Sequence, residues 1–299
     1  MGTLLDILKV AILSLVEGVT EFLPISSTGH LILVNDFIKL SPEAFANAFT
    51  VIIQLGAILS VVVLYFDRLN PWSKNKPHPQ KPRRYEDFNV QTKVHYQLTQ
   101  AADAKTLRLW GKVLVACIPA AILGLLFDDM IDAKLMNMPV VTATLFLYGV
   151  LILAIERWNA GRGSAAYEEV SDLPLRIAFL IGCFQCLALV PGTSRSAATI
   201  LGAMILGSSR VAAAEFSFFL AIPTMLGATF LKVIKNLGGF TLYQWFLILL
   251  GLVLSFIVAY IVIKKFMDYI KRKDFAVFGY YRIGLAAILV VYMLVKSLL

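Results

Sequence analysis

Six stretches of this chain stay apolar over roughly the 20 residues that a helix needs to cross a bilayer, at 45–66, 107–127, 139–155, 210–236, 241–263 and 275–297. No other feature constrains the fold as much. The bilayer core offers backbone groups no water, so only helices or closed barrels span it, and runs of this length select helices. Composition agrees. Of 299 residues, 15% are charged and 59% hydrophobic, with a mean hydropathy of +0.78, whereas a soluble domain carries about 25% charged residues. A water-soluble globule, a disordered tail and a disulfide-stapled secreted domain are excluded. The expected fold class is an all-α polytopic membrane protein.

Two further apolar stretches, 4–40 and 173–207, are interrupted by Pro and small polar residues, in LPISSTGH and VPGTSRSAAT. Each half is short for a crossing. Non-helical backbone at membrane depth is tolerated only where protein buries it or it lines a wet cavity. Both stretches therefore read as re-entrant helix hairpins. A shift of 167 residues places Pro24 on Pro191, Ser27 on Ser194, Phe49 on Phe216 and Thr50 on Ser217. The chain then divides into a first repeat at 1–158 and a second at 173–299, each a broken hairpin followed by three spans. An odd number of spans inverts the second copy. Interrupted segments at matching positions of two halves point to a site near the midplane.

The net charge is +8, and 67–112 alone, with ten basic and four acidic residues, carries +6 of it. A basic loop at 67–105 between spans marks a cytoplasmic face rather than a nucleic-acid site. With its four prolines at 71, 77, 79 and 82 it reads as solvated and mobile. Lys264, Lys265, Lys271, Arg272 and Lys273 belong on the same side, and Asp128, Asp129 and Asp132 form an acidic turn outside. The N-terminus shows no removable signal peptide. Cys117, Cys183 and Cys186 sit in apolar runs and read as packing residues rather than a metal or redox site.

Two constellations carry chemistry. In VEGVTEFLPISSTGH, Glu17 and Glu21 are four apart and share a helix face. Neighbouring carboxylates in an apolar segment repel and are costly to desolvate, so a divalent cation, Mg²⁺ or Ca²⁺, or a shared proton is expected between them. Ser26, Ser27 and Thr28 open the next helix. One of them suffices as a cap, and the three together with the helix N-terminus suit a phosphate group. His30, one turn beyond Ser27, is placed to accept the serine proton, against the plainer reading of a satisfied core histidine. In PGTSRSAAT, Thr193, Ser194, Ser196 and Thr199 supply hydroxyls around Arg195. An arginine at this depth requires an anion, a wet cavity or a carboxylate such as Glu17 or Glu21. Gln185 lies closest to this segment and is the further candidate for touching substrate, while Gln54 and Glu215 carry less weight. If the two breaks meet, they bring together a nucleophile, a base, a metal site and a cationic clamp, the inventory of phosphoryl transfer.

The segments EGVTEFLPISSTGHLI and GCFQCLALVPGTSRSAATI…SSRVAAAEFSFFLAIPTMLGA closely resemble the undecaprenyl-diphosphate phosphatase family, also called bacitracin-resistance proteins. The resemblance covers essentially the whole chain. It implies hydrolysis of undecaprenyl diphosphate to the monophosphate, which recycles the lipid carrier of bacterial cell-wall synthesis. By matching motif positions it implies that Glu17, Glu21, Ser27, His30, Ser194 and Arg195 are the important residues. It also implies six spans with two inverted re-entrant hairpins, dependence on a divalent cation, and a site in the inner membrane opening to the outer, periplasmic face. Ala197 departs from the glycine usual in that family after SRS. The partners expected are a polyprenyl diphosphate and membrane lipids, with a homodimer left open. The rival reading is a polyprenyl-phosphate transporter or flippase, since inverted repeats with broken helices also build transporters. A carrier would use Arg195 and the hydroxyls but needs no nucleophile.

Overall fold

The computed structural model describes residues 2–76, 89–92, 102–236 and 239–298. Among them there is no strand, only an isolated bridge between Tyr167 and Ser208. The main helices are α1 (Gly2–Thr20), α2 (Ser27–Ile38), α3 (Glu43–Leu64), the single turn α4 (Phe66–Leu69), α5 (Ala104–Leu135) and α6 (Met138–Ala160). They continue with α7 (Leu175–Gln185), α8 (Arg195–Ile205), α9 (Arg210–Asn236), α10 (Leu242–Ile270) and α11 (Ala276–Leu298). Six of them, α3, α5, α6, α9, α10 and α11, are long and apolar enough to cross a membrane. These are the six stretches read from hydropathy.

Local chemistry sets the ends. Asp103 caps α5 through the N–H groups of Lys105 and Thr106, Asn137 caps α6, and Thr241 with Gln244 forms a capping box on α10. Two ends differ from expectation. Asp128, Asp129 and Asp132 lie on α5, which runs on to Leu135, so the turn falls at 136–137. The carboxylates interrupt the hydropathy but not the helix, whose backbone bonds do not depend on side-chain polarity. Likewise α10 carries on past Lys264, whose ammonium lies 4.4 Å from the centre of the Tyr260 ring, and Lys265.

Helix α3 packs against α9 and α10, α1 against α10, α6 against α11, and α5 against α7. Contact is close where residues are small: a Cβ on Gly56 of α3 would stand 2.2 Å from the Leu252 carbonyl oxygen of α10. Phenylalanines fill the centre, with Phe22 from the first break edge-on to Phe218 of α9 at 5.1 Å between ring centres. Large apolar side chains such as Leu125, Leu249 and Val291 face outward. In water such a surface would be an association hazard; against acyl chains it is the expected one.

Of the 67–105 loop, 77–88 and 93–101 lie outside the described residues, and with them its expected mobility. Its near end is folded. Asp67 accepts from Ser73 and from Asn75 at 2.9 Å, Asp103 N–H donates to the Pro71 carbonyl at 2.8 Å, and Lys76 reaches Thr106 and, at 3.6 Å, Asp103. These donors hold both carboxyls below the ordinary aspartate range, Asp67 through Ser73 first and Asp103 through Thr106 first.

Candidate functional site

Both chain breaks are built the same way. After α1 the chain turns through 21–26, and Ser26, at φ 74°, caps α2 by accepting from the Gly29 N–H at 3.2 Å. After the 3₁₀ turn Cys186–Leu189, Ser194, at φ 72°, caps α8 by accepting from the Ala197 N–H at 3.3 Å. Left-handed backbone at a residue with a Cβ is strained and persists only where its surroundings impose it. Here the imposition is visible. Gly192, at φ 85°, lies so close to α6 that a Cβ would stand 2.2 Å from Thr144 Oγ1, and that hydroxyl donates to the Pro191 carbonyl at 2.8 Å.

The two breaks meet. Ser196 Oγ donates to the Leu23 carbonyl at 3.0 Å, and Arg195 Nη2 donates to Glu21 Oε1 at 3.3 Å. Ser27 Oγ donates to the other Glu21 oxygen, Oε2, at 2.6 Å. Arg195 is braced from behind, through Nη1 to the Ser217 carbonyl at 2.8 Å, and Thr199 holds the Ser217 hydroxyl at 2.7 Å. Glu21, Ser27, Thr28, Ser194 and Arg195 line a cavity of about 180 Å³. Pockets for whole drug-sized ligands run to about 300–1,000 Å³; this one suits a small polar headgroup.

Other candidates fall into place around it. Ser26 and Ser194 are the caps, Ser196 joins the breaks, and Thr199 reaches the cavity only through Arg195 and Ser217. Thr193 is buried and does not line the cavity, and neither does Gln185, whose amide atoms are buried without partners. Gln54 of α3 and Thr224 of α9 line it instead. Glu17 lies behind Glu21, fully buried, and among the described residues no donor other than the neighbouring Glu21 carboxyl reaches its oxygens.

His30 does not meet Ser27. Its Nδ1 is 2.7 Å from the Ser26 carbonyl one turn back, and its Nε2 is 2.6 Å from the Tyr281 hydroxyl, with the two rings stacked. A carbonyl only accepts, so Nδ1 carries the proton. The group placed to take the Ser27 proton is Glu21.

One residue at the centre was not singled out from sequence. Arg282 of α11 is fully buried, and its guanidinium donates to the Pro24 carbonyl at 3.2 Å, the Gly192 carbonyl at 2.8 Å and the Thr144 carbonyl at 3.4 Å. It ties both breaks to α6. A charge inside an otherwise apolar span was the available signal.

A serine donating to a carboxylate, with an arginine on that carboxylate's other oxygen and a helix N-terminus beneath, can attack an electrophilic phosphorus and stabilise the charge that develops. The comparisons point the same way. The chain is 50% identical over 293 residues to a protein of Limosilactobacillus fermentum named undecaprenyl-diphosphatase, covering 97% of this chain and 98% of that one. It is 47% identical over 291 residues to undecaprenyl-diphosphatase 1 of Clostridioides difficile, covering 97% of each, and 48% identical over 293 residues to the undecaprenyl-diphosphatase of Lactiplantibacillus plantarum, covering 97% and 98%. A family model described as bacitracin resistance protein BacA matches residues 10–288. With nearly the whole chain matched, this protein belongs to the BacA bacitracin resistance family.

Proposed function

We propose that this multi-pass membrane protein is an undecaprenyl-diphosphatase, hydrolysing undecaprenyl diphosphate to the monophosphate and phosphate. The observation that carries the reading is the Ser27–Glu21 hydrogen bond of 2.6 Å beside Arg195 in a headgroup-sized cavity. Ser27 Oγ bonds to the terminal phosphorus as the bridging P–O bond breaks, releasing the lipid monophosphate, and the Ser27 proton passes to Glu21. Water then cleaves the phosphoserine, freeing phosphate. Arg195 and the α2 N-terminus neutralise the phosphoryl oxygens. His30 acts through the Ser26 carbonyl and positions the break.

Glu17 and Glu21 fit a divalent cation, Mg²⁺ or Ca²⁺, because the two buried carboxyls stand side by side and no other donor reaches the Glu17 oxygens. Among the described residues no third His, Cys, Asp or Glu joins such a group, which leaves the remaining positions to substrate oxygens and water, as Mg²⁺ tolerates. The ion would supply further charge neutralisation at the diphosphate.

In the bilayer, the breaks at 21–26 and 186–194 turn back near the midplane as re-entrant hairpins of two inverted repeats, 1–158 and 173–299. Support comes from their matching caps and from six spans divided three and three. The basic segments face the cytoplasm, so the cavity opens to the outer face.

The test is phosphate release by detergent-purified protein from a long-chain prenyl diphosphate. Stoichiometric release, abolished by chelation and by Ser27→Ala, is expected. Lipid movement across vesicles with no release would turn the reading into a transporter.

A further inference from the structure

A second pocket, of about 690 Å³, opens at the far end of α8, one helix of 11 residues or about 16 Å from the Arg195 cavity. None of its lining residues is shared with that cavity. Its floor is apolar (Met204, Val211, Ile270) and its wall polar (Asn159, Arg162, Ser208). The start of the 27-residue helix α9 also faces it, through Ser209 and Arg210.

Three observations distinguish it from a surface crevice. First, Ser208 is 4% exposed and lines the pocket, and its buried hydroxyl has no hydrogen-bond partner among the described residues. A buried hydroxyl left unpaired is costly, and a bound acceptor or donor would remove that cost. Second, α9 presents its N-terminal N–H groups here, and Ser209 Oγ accepts only that of Ala212. Third, the two arginines differ. Arg210 is neutralised by Glu156, at 3.0, 3.1 and 2.5 Å. Arg162 has no carboxylate partner among the described residues; it stacks 3.9 Å over Trp158 and touches the Ile205 carbonyl at 3.4 Å. An unneutralised guanidinium, a helix N-terminus and an orphaned hydroxyl select an oxyanion. The apolar floor next to them would take the first carbons of an ester chain. The one carboxylate on the lining, Glu168, is exposed at the rim.

We propose that this pocket is a second binding site, for a phosphoryl oxyanion, held by Arg162, Ser208 and the α9 N-terminus. The chemistry is shared by inorganic phosphate and by an anionic phospholipid headgroup. It does not depend on the hydrolytic reading of the first cavity.

Trp158 under Arg162 provides a local reporter. The intact protein would be titrated with inorganic phosphate in uncharged detergent, and separately reconstituted in nanodiscs of phosphatidylcholine with increasing phosphatidylglycerol. Tryptophan fluorescence is read in each, with Trp158→Phe as the blank. A saturable change is expected that vanishes in Trp158→Phe and weakens about 10-fold or more in Arg162→Gln and Ser208→Ala. It should recover in part in Arg162→Lys, tighten in Glu168→Gln, and persist in Arg195→Gln. A response to phosphate in detergent identifies the free anion as a ligand. A response to phosphatidylglycerol alone identifies a lipid headgroup. No response to either, or one unchanged by Arg162→Gln, overturns the proposal.

Discussion

At the scale of single residues, the proposed chemistry turns on the division of labour between Glu21 and His30. A serine hydroxyl is a weak nucleophile until a base takes its proton, and hydrogen-bond reach decides which base that is. Ser27 meets Glu21 at 2.6 Å, while the His30 imidazole is committed to Ser26 and Tyr281. Ser27→Ala and Glu21→Gln should each lower kcat by about 10³-fold or more, on the scale of deleted nucleophiles and bases. His30→Gln, which can still donate to the Ser26 carbonyl, should lose only about 10-fold. Acid-quenched enzyme should carry phosphate on Ser27 by mass spectrometry; phosphate on His30 would reverse the two roles. Arg282 makes a separate prediction. Its replacement by Met leaves the Pro24 and Gly192 carbonyls without a charged donor, each such bond being worth about 1.5–3 kcal/mol. Arg282→Met should therefore lower Tm as well as kcat, whereas Ser27→Ala should lower kcat alone. Glu17, Glu21, Ser27 and Arg195 were legible because polar residues clustered inside apolar runs are conspicuous. The His30 contact was misread because three-residue spacing fixes a shared face but not the rotamer, and the Ser26 carbonyl captures the ring. Arg282 shows in the sequence only as a charge inside an apolar span; what it holds does not, because its partners are backbone carbonyls from three distant segments.

At the scale of elements, the site lies where the starts of α2 and α8 both reach Glu21, and backbone geometry holds them there. Gly192→Ala introduces a Cβ at positive φ into space held by Thr144 and the Val141 backbone. It should displace the second break, lowering both Tm and turnover. Gly111→Ala, where an added Cβ meets nothing within 4 Å, should be neutral or stabilising, since Ala is the better helix former. Thermal unfolding of the pair in one detergent checks this. The cap of α5 answers to pH. Asp103 is held below its ordinary value of 3.8, chiefly by the Thr106 hydroxyl, so its contribution is present above that value and lost as pH falls through the lower folded one. Hydrogen-exchange protection of the Thr106 amide should hold from neutral pH to about 4 and fall below it, and in Asp103→Ala it should be low throughout. Element existence was legible from the hydropathy of uninterrupted runs, and the breaks from Pro and Gly. Element ends were less so. Asp128, Asp129 and Asp132 look like a turn because charge ends an apolar run, yet a helix leaving a membrane keeps its hydrogen bonds well into water.

At the scale of the whole molecule, the proposed outward facing of the cavity rests on the sign of the loops and the length of the spans. Helix α6 has 23 residues, about 34 Å, long enough to cross a hydrocarbon core about 30 Å thick and bring its two ends out on opposite faces. Its start follows the α5 turn at Met136, which is exposed; its end leads to the exposed Gly163, beside the second pocket. Arg157 and Arg162 cluster at the second end, as do Lys271, Arg272 and Lys273 after α10, and basic residues are retained on the cytoplasmic side. On that basis we propose that the first end lies outside and that the Ser27–Arg195 cavity is reached from there. In cells whose native Cys117, Cys183 and Cys186 are replaced by Ala, a single cysteine at Met136 should react with an impermeant maleimide added outside. One at Gly163 should react only after the membrane is opened. The pairing of the two positions on one helix makes the result self-consistent: both labelled from outside would mean that α6 does not span, and the reverse order would place the cavity on the cytoplasmic face.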